Sequence, residues 1–189
     1  MLSILLVEND NNHALLENAL KNAGHEILKT QYGPSFLALV MESKPDAIIF
    51  NLDTPSERLI ADLYKLNQQF PLPIIMFAND GSNDIINATV NVGVDAYIVD
   101  GLSGERLDSI ILVAMSRFKH GQALKTALEE ARTQLEDRKQ IDRAKAILIK
   151  TQNFTEDEAY HKLRKLAMGR NITLGEMARN VIAMSELLK

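Results

Sequence analysis

The stretch Pro45–Pro55, PDAIIFNLDTP, is the most informative part of the amino-terminal half of the chain. Its centre, Asp46–Leu52, is a nearly continuous apolar run, which is typical of a strand that is buried on both faces of a parallel sheet. Polar residues follow at once, and Pro55 cannot donate a hydrogen bond to a neighbouring strand. The stretch therefore predicts a central parallel strand that ends in polar side chains.

Similar short apolar runs recur before and after this strand, and amphipathic segments separate them. The other predicted strands are Ser3–Val7, His25–Lys29, Pro73–Ala78 and Ala96–Val99. The predicted helices between them are Asn11–Gly24, Pro34–Ser43, Ser56–Gln69 and Asn83–Gly93. Five such repeats predict an α/β domain with a five-stranded parallel (βα)5 sheet of the flavodoxin-like type and helices on both faces.

Composition excludes several classes of protein. Of the 189 residues, 46% are hydrophobic and 24% are charged, the balance of a folded globular chain. The chain has no cysteine, which excludes disulfides, thiolate zinc sites and cysteine nucleophiles. No apolar run approaches the roughly 20 residues of a membrane span, and the first residues lack the basic start of a secretory signal. We therefore expect a cytoplasmic protein with no membrane partner.

Charge is distributed unevenly along the chain. Residues 1–120 carry 8 basic and 15 acidic side chains, a net charge of −7, whereas residues 121–189 carry 13 and 10, a net charge of +3. Between Arg138 and Arg170 there are 9 basic and 4 acidic side chains. An acidic front and a basic back predict two modules with different partners.

A long helix is expected to connect the modules, because residues 103–151 contain no proline and only two glycines. Four apolar residues in this segment follow a 4–3–4 spacing: Leu124, Leu128, Ala131 and Leu135. This spacing is typical of a short coiled coil and predicts a homodimer, although a single amphipathic helix lying on its own domain gives the same pattern. The expected division is residues 1–120, a connector over 121–137 that continues the last helix of the first domain, and residues 138–189.

The carboxy-terminal residues predict an all-α bundle of three helices. The first is Arg138–Thr151, and two capping boxes, Thr155 with Glu158 and Thr173 with Glu176, mark the start of the others. The residues expected to form its small core are Ala144, Ile147, Leu148, Ala159, Leu163, Leu166, Met168, Leu174, Met177, Ala178 and Val181.

Residues 1–120 resemble the receiver domain of two-component response regulators, through LLVEN, PDAIIFNLDTP, PIIMFA and GVDAYIVDG. Active receivers hold Mg²⁺ with two acids after the first strand, and carry a phosphoacceptor aspartate, a hydroxyl residue and a lysine after later strands. The resemblance places these positions at Glu8, Asn9, Asn51, Ala78 and Asp100. Only Glu8 keeps the expected residue type, so the phosphorylation site is degenerate.

The altered site predicts no phosphorylation, no metal and no cofactor. An asparagine amide at position 51 is not a carboxylate nucleophile, and Asp100 places negative charge where a phosphoryl group needs a cation. Asp53, two residues after Asn51, remains an alternative acceptor, although a loop or helix-capping role is favoured for it. The four histidines have no metal-ligand spacing, and no motif of an enzyme is present. We therefore expect a protein that is not an enzyme.

Residues 135–182 resemble the ANTAR module, an RNA-binding three-helix domain of transcription antiterminators. The resemblance rests on the RAKAILI run, the TEDEAY segment, LRKLAM and the turn Gly169–Asn171, with Ala146 where the family usually has glycine. Arg138 and Lys145 also share one predicted helix stripe with Ile141 and Leu148. The residues expected to bind RNA are Arg138, Lys139, Gln140, Arg143, Lys145, Arg164, Lys165, Arg170 and Asn171. Phe154 and Tyr160 are expected in the core, with stacking on RNA bases as the alternative.

A degenerate receiver joined to an ANTAR module is similar to the nitrate-assimilation antitermination regulators of the NasT type. That resemblance implies binding to leader mRNA hairpins, prevention of termination before nitrate and nitrite reductase genes, and sequestration by a nitrate-sensing protein. A phosphorylation-gated response regulator and a protein-binding adaptor remain the alternatives.

Overall fold

The computed structural model describes residues 1–8, 14–99 and 106–187, and it divides the chain into two compact units, residues 1–122 and 123–189. The strands are β1 (Ser3–Glu8), β2 (Glu26–Thr30), β3 (Ala47–Leu52), β4 (Ile74–Ala78) and β5 (Ala96–Val99). The helices are α1 (Ala14–Asn22), α2 (Phe36–Ser43), α3 (Glu57–Gln69), α4 (Asn83–Asn91), α5 (Leu107–Gln152), α6 (Glu156–Arg170) and α7 (Leu174–Leu187).

The first unit contains a parallel sheet with the strand order β2-β1-β3-β4-β5, which confirms the predicted (βα)5 architecture. Glu8 is in register with Asn51, and Leu52 is in register with Ala78. The carboxyl ends of β1, β3 and β4 therefore meet at one edge of the sheet, which is where domains of this architecture place their functional groups.

Each face of the sheet buries a separate core, because successive side chains of a strand point to opposite faces. Leu5 packs in one core with Phe36 of α2 and Leu63 of α3. Its neighbour Leu6 packs in the other core with Leu16 of α1, and α5 covers the same face. Burial on both sides is the reason that the strands are apolar almost throughout.

Helix α5 is 46 residues long and contributes residues to both units. Its connector leucines Leu124, Leu128 and Leu135 are 59%, 52% and 61% exposed, and Ala131 is exposed as well. The predicted coiled-coil stripe is therefore exposed along the connector. In the described ranges, no helix has the length and apolarity that crossing a membrane requires.

The second unit is a bundle of the end of α5 with α6 and α7, as predicted. Its buried apolar residues are Ala144, Ala159, Leu163, Ala167, Met177, Ala178 and Ile182. Small side chains bring the helices close together: Gly175 at the start of α7 lies so near the Asp137 carboxylate of α5 that an added Cβ would overlap it. The expectation that Met168 belongs to this core is wrong, because its side chain is 72% exposed on α6.

Candidate nucleic-acid interface

The carboxyl edge of the sheet brings together Glu8 and Asn51, two of the five predicted receiver positions. Glu8 is only 4% exposed, and the Asn51 side-chain amide donates a hydrogen bond of 3.0 Å to its Oε1. Ala78 ends β4 on the same edge and is buried. Asn9 and Asp100 lie outside the described residues. The position expected for a phosphoacceptor thus holds a neutral amide that is occupied by an internal hydrogen bond.

A lysine that the sequence analysis did not single out neutralises Glu8. Lys29 of β2 is in register with Leu6, so its side chain lies on the same sheet face as Glu8, and its Nζ is 2.8 Å from Glu8 Oε2. Lys29 also contacts Glu17 of α1 at 3.3 Å. The hydrogen bond to Glu8, followed by that to Glu17, raises the pKa of Lys29. The one signal in the sequence was a cation inside a predicted strand.

Asp53, the alternative phosphoacceptor, lies in the loop after β3 and is exposed. Its Oδ1 accepts a hydrogen bond of 2.8 Å from the Asn79 amide, and its backbone carbonyl accepts from the backbone N–H groups of Asn79 and Asp80. Asp53 therefore ties its own loop to the end of β4. Across residues 1–8, 14–99 and 106–187, no group of three or more His, Asp or Glu side chains is placed to hold a metal ion.

Both predicted capping boxes of the second unit are present. The Thr155 backbone N–H donates to Glu158 at 2.8 Å and the Glu158 backbone N–H donates to the Thr155 hydroxyl at 3.3 Å. Thr173 and Glu176 repeat this arrangement at 2.8 and 3.2 Å. The threonine backbone N–H groups lower the pKa of both glutamates. These caps fix the starts of α6 and α7 and hold the Asn171–Thr173 turn between them.

Some of the predicted RNA-binding residues are occupied by bonds within the bundle. Lys145 is 2.8 Å from both Asp142 and Glu156, and these carboxylates, Asp142 first, raise its pKa. Arg143 is paired with Glu186 at 2.7 Å. The Gln140 amide donates to Glu136 at 2.5 Å, and Lys139 lies 3.9 Å from the same carboxylate.

Between Ile141 and Leu148 the predicted helix stripe faces the bundle, whereas Arg138 at its start is exposed. Ile141 and Leu148 pack against the core, and the Lys145 side chain between them is only 16% exposed. Arg179 of α7 pairs with Asp137 at 2.6 Å in the same way that Lys145 pairs across helices. These buried or paired groups hold α5, α6 and α7 together.

Other cations of the bundle point outward without a carboxylate partner. Within the described ranges, no acidic oxygen lies within 4 Å of the basic nitrogens of Arg138, Lys150, Lys162, Arg164, Lys165 or Arg170. Asn171 ends α6 in the left-handed conformation with φ of 54°, which exposes the turn beside Arg170. Unpaired cations around a polar turn form the electrostatic footprint of a phosphate-binding surface.

Comparison with known proteins identifies the module that carries this surface. Residues 129–182 match the family model of the ANTAR domain. Most of the second unit therefore matches the ANTAR domain. The transcriptional regulatory protein PdtaR of Mycobacterium tuberculosis is 27% identical over 168 residues, which are 88% of this chain and 82% of that protein. A nitrate regulatory protein of Klebsiella oxytoca is 35% identical over 83 residues, 43% of this chain and 21% of that protein.

The first unit has the receiver fold. It superposes on the signal receiver domain of a modulated diguanylate cyclase from Desulfovibrio desulfuricans G20 with a TM-score of 0.55 and 18% identity, covering 64% of this chain and 98% of that domain. The chain therefore combines a unit of receiver fold with a segment that matches the ANTAR domain.

The ANTAR domain differs from expectation in its aromatic residues. Phe154, before α6, is half-buried, but Tyr160 is 39% exposed. The expectation that Tyr160 belongs to the core is wrong. The buried stripe of α6 runs through Ala159, Leu163 and Ala167, and Tyr160 lies next to Ala159 but outside this stripe. Sequence spacing did not separate these neighbouring stripes.

Proposed function

We propose that this protein is a transcription antiterminator, which binds hairpins in a nascent leader mRNA and prevents formation of a terminator. The observation that carries the proposal is the ANTAR domain with an outward set of unpaired cations on α6 and the following turn. Phosphate contacts by such cations supply affinity for RNA, and unstacked loop bases supply specificity. The protein acts in the cytoplasm, where transcripts are made, and is not an enzyme.

The expected RNA-binding residues fall into two groups, according to whether their donors are already bonded to carboxylates. Arg164, Lys165, Arg170 and Asn171 contact RNA, joined by Arg138 at the end of the bundle where Gly175 meets Asp137. Lys139 joins them, because its 3.9 Å pair with Glu136 is long and both side chains are exposed. Arg143 and Lys145 instead position the helices, because they pair with Glu186 of α7 and Glu156 of α6. The Gln140 amide is bonded to Glu136 of its own helix. A bound phosphate would have to displace those carboxylates before it could pair with them.

The receiver-like domain acts as a docking surface for a partner protein rather than as a phosphate switch. Asn51 offers no carboxylate for acyl-phosphate formation, and Lys29 already neutralises Glu8 at the same edge. The domain carries the acidic half of the chain's charge, which favours a partner with a complementary surface. We propose that this partner is a sensor of nitrate or nitrite, which sequesters the regulator until nitrate or nitrite is present.

Dimerisation through the connector completes the proposed mechanism. The exposed leucines at 124, 128 and 135 would bury one another in a second copy, and a dimer presents two ANTAR domains to paired hairpins. The proposed boundaries are residues 1–120, the connector 121–137 and the ANTAR domain 138–189. The nitrate and nitrite assimilation genes are proposed as targets because a segment of a nitrate regulatory protein is 35% identical to this chain.

Two assays test this function. Gel shifts with a two-hairpin leader RNA should show binding that weakens as salt rises, with a log–log slope of about −0.7 for each single-stranded phosphate contact. Transcription in vitro through the same leader should give more read-through when the protein is added. Binding without read-through would make the chain an RNA-binding protein of another kind, and absence of both activities would refute the proposal.

Treatment with a small phosphodonor separates this mechanism from phosphorylation-gated control. We expect no mass increase of the intact protein and no change in RNA affinity. A stable added phosphate that the Asp53→Asn variant lacks would instead make Asp53 the acceptor and the receiver a switch. A protein that is captured by a sensor but binds no RNA would favour the adaptor.

A further inference from the structure

The outer face of α6 combines an aromatic ring, a cation and an apolar side chain. Tyr160, Arg164 and Met168 follow one another at intervals of four residues, so they are neighbours along one stripe of the helix. Tyr160 is 39% exposed, Met168 is 72% exposed, and Arg164 between them is exposed. None of the three belongs to the buried core of the bundle.

Beyond the first turn of α6, this face carries no acidic side chain. Residues 159–175 contain four basic side chains and no acidic one. The acidic residues of α6 are confined to its first turn, where Glu158 caps the helix and Glu156 pairs with Lys145. A polyanion that follows the helix beyond this turn meets cations only.

The Tyr160 side chain makes few contacts within the bundle. Its ring meets the His161 ring edge-on with centroids 6.1 Å apart, and within the described residues its hydroxyl makes no hydrogen bond. An exposed aromatic ring offers both its face and its polar hydroxyl to a ligand. The ring is therefore available for contact with another planar group.

We propose that Tyr160 is a stacking platform for an unpaired base of an RNA hairpin loop, while Arg164 neutralises an adjacent phosphate. The proposal rests on the proposed function, and it adds the residue that contacts a base. Nucleic acid fits the alternation of ring, cation and apolar group, since unstacked bases and phosphates alternate along a loop. The apolar groove of a protein partner would match a continuous apolar stripe instead.

Replacement of Tyr160 measures the stacking contribution. Tyr160→Leu keeps an apolar side chain but removes the ring, and we expect roughly a 5- to 100-fold weaker affinity for the leader RNA, the range that base–aromatic stacking gives. Tyr160→Phe keeps the ring and should bind within about twofold of the unsubstituted protein. Tyr64→Leu, at an exposed tyrosine of α3, is the matched control. Thermal unfolding by circular dichroism verifies that the variants are folded.

Abasic substitutions in the loop identify the partner of the ring. Removing the stacked base should weaken binding of the unsubstituted protein and leave the Tyr160→Leu variant unaffected, so that the two affinities converge at one loop position. The chain has no tryptophan, so Tyr160→Trp adds a single indole whose fluorescence should be quenched by the same RNA and not by its abasic form.

The outcomes of these experiments are distinguishable. Failure of the unsubstituted protein to bind any hairpin RNA would refute the proposed function itself. Normal RNA binding by a folded Tyr160→Leu variant would overturn the stacking role while the function stands. Loss of binding to a sensor protein in that variant, with RNA affinity intact, would assign the face to a protein partner and equally overturn the proposal.

Discussion

The carboxyl edge of the sheet and the outer face of α6 differ in how their charged groups are paired. At the carboxyl edge of the sheet, Glu8 is buried and its carboxylate is satisfied by Asn51 and Lys29 from the same chain. On α6 of the ANTAR domain, Arg164 and Lys165 are exposed and face no carboxylate among the described residues. A site whose charges are paired internally needs no ligand. Binding of an anionic partner to unpaired cations, in contrast, lowers the free energy, because it releases counterions. This contrast indicates that the anionic ligand binds to the second unit and not to the carboxyl edge of the sheet.

The largest expected effect concerns the exposed leucines of the connector. Replacing Leu124, Leu128 and Leu135 together by serine removes the apolar surface of the proposed dimer. We expect a monomer in sedimentation experiments and an affinity for two-hairpin RNA that falls by roughly 100-fold or more, since avidity is lost. Binding to an isolated hairpin should not change. A triple variant that remains dimeric would show that the second copy binds elsewhere.

The next effect concerns the outward cations of the ANTAR domain. Changing both Arg164 and Lys165 to alanine should weaken RNA binding by roughly 10- to 100-fold and reduce the salt slope by about 1.4, the contribution of two phosphate contacts. The control pair, Lys119 and Lys125, consists of exposed lysines of α5 that precede the ANTAR match. Equal losses in the two double variants, measured by salt titration, would mean that net charge rather than this surface binds RNA.

A smaller effect tests the internal pairing of the receiver-like domain. Lys29→Met keeps the apolar stem but leaves the buried Glu8 carboxylate without its cation, which should lower the Tm of this unit by roughly 5 °C. Adding Glu8→Gln should recover part of the loss, because the unpaired charge is then absent. Lys21→Met removes only an exposed pair with Glu17 and should leave the Tm almost unchanged. If the Lys29→Met variant has an unchanged Tm, water replaces the lysine beside Glu8.

The smallest effect is a pH dependence at Asp95. Burial raises the pKa of this carboxyl to about 6, while the Ile74 backbone N–H and Arg117 act in the opposite direction. The folded state therefore binds the proton more tightly, and the associated stability is complete below the unfolded pKa of 3.8 and is lost as pH rises to about 6. Asp95→Asn keeps an acceptor for Ile74 and avoids this loss.

Asp95 is partly exposed, and solvent screening therefore reduces the contribution of its raised pKa to stability. We expect Asp95→Asn to raise the free energy of unfolding by about 1 kcal/mol at pH 8. At pH 4 the two proteins should be nearly equal in urea titrations. An equal gain at both pH values would assign the effect to packing instead of protonation.

Sequence patterns predicted the elements of this protein well, because they depend on local rules. The strand around Ala47–Phe50 follows from burial on both faces, and the boxes at Thr155 and Thr173 follow from short-range hydrogen bonding. The prediction that Asn51 stands at the phosphoacceptor position also needed only the residue pattern around Pro55. These predictions involve residues that are near one another in the chain or occupy fixed positions after a strand.

The assignment of individual side chains depended on contacts between distant residues. Lys29 reaches Glu8 only because β2 and β1 pair in parallel, and Lys145 is occupied only because α6 brings Glu156 to it. Met168 and Tyr160 lie next to the buried stripe of α6, so a rotation of one position decides whether they are core or surface.

The two modules and their order follow from the amino-acid sequence alone, as does the prediction that the phosphoacceptor is replaced, because residue type and spacing along the chain are sufficient for these. The identity of the cations that are available to a ligand required the three-dimensional contacts. The charge of a lysine is local, but its availability depends on which carboxylates the fold places within a few ångströms of it.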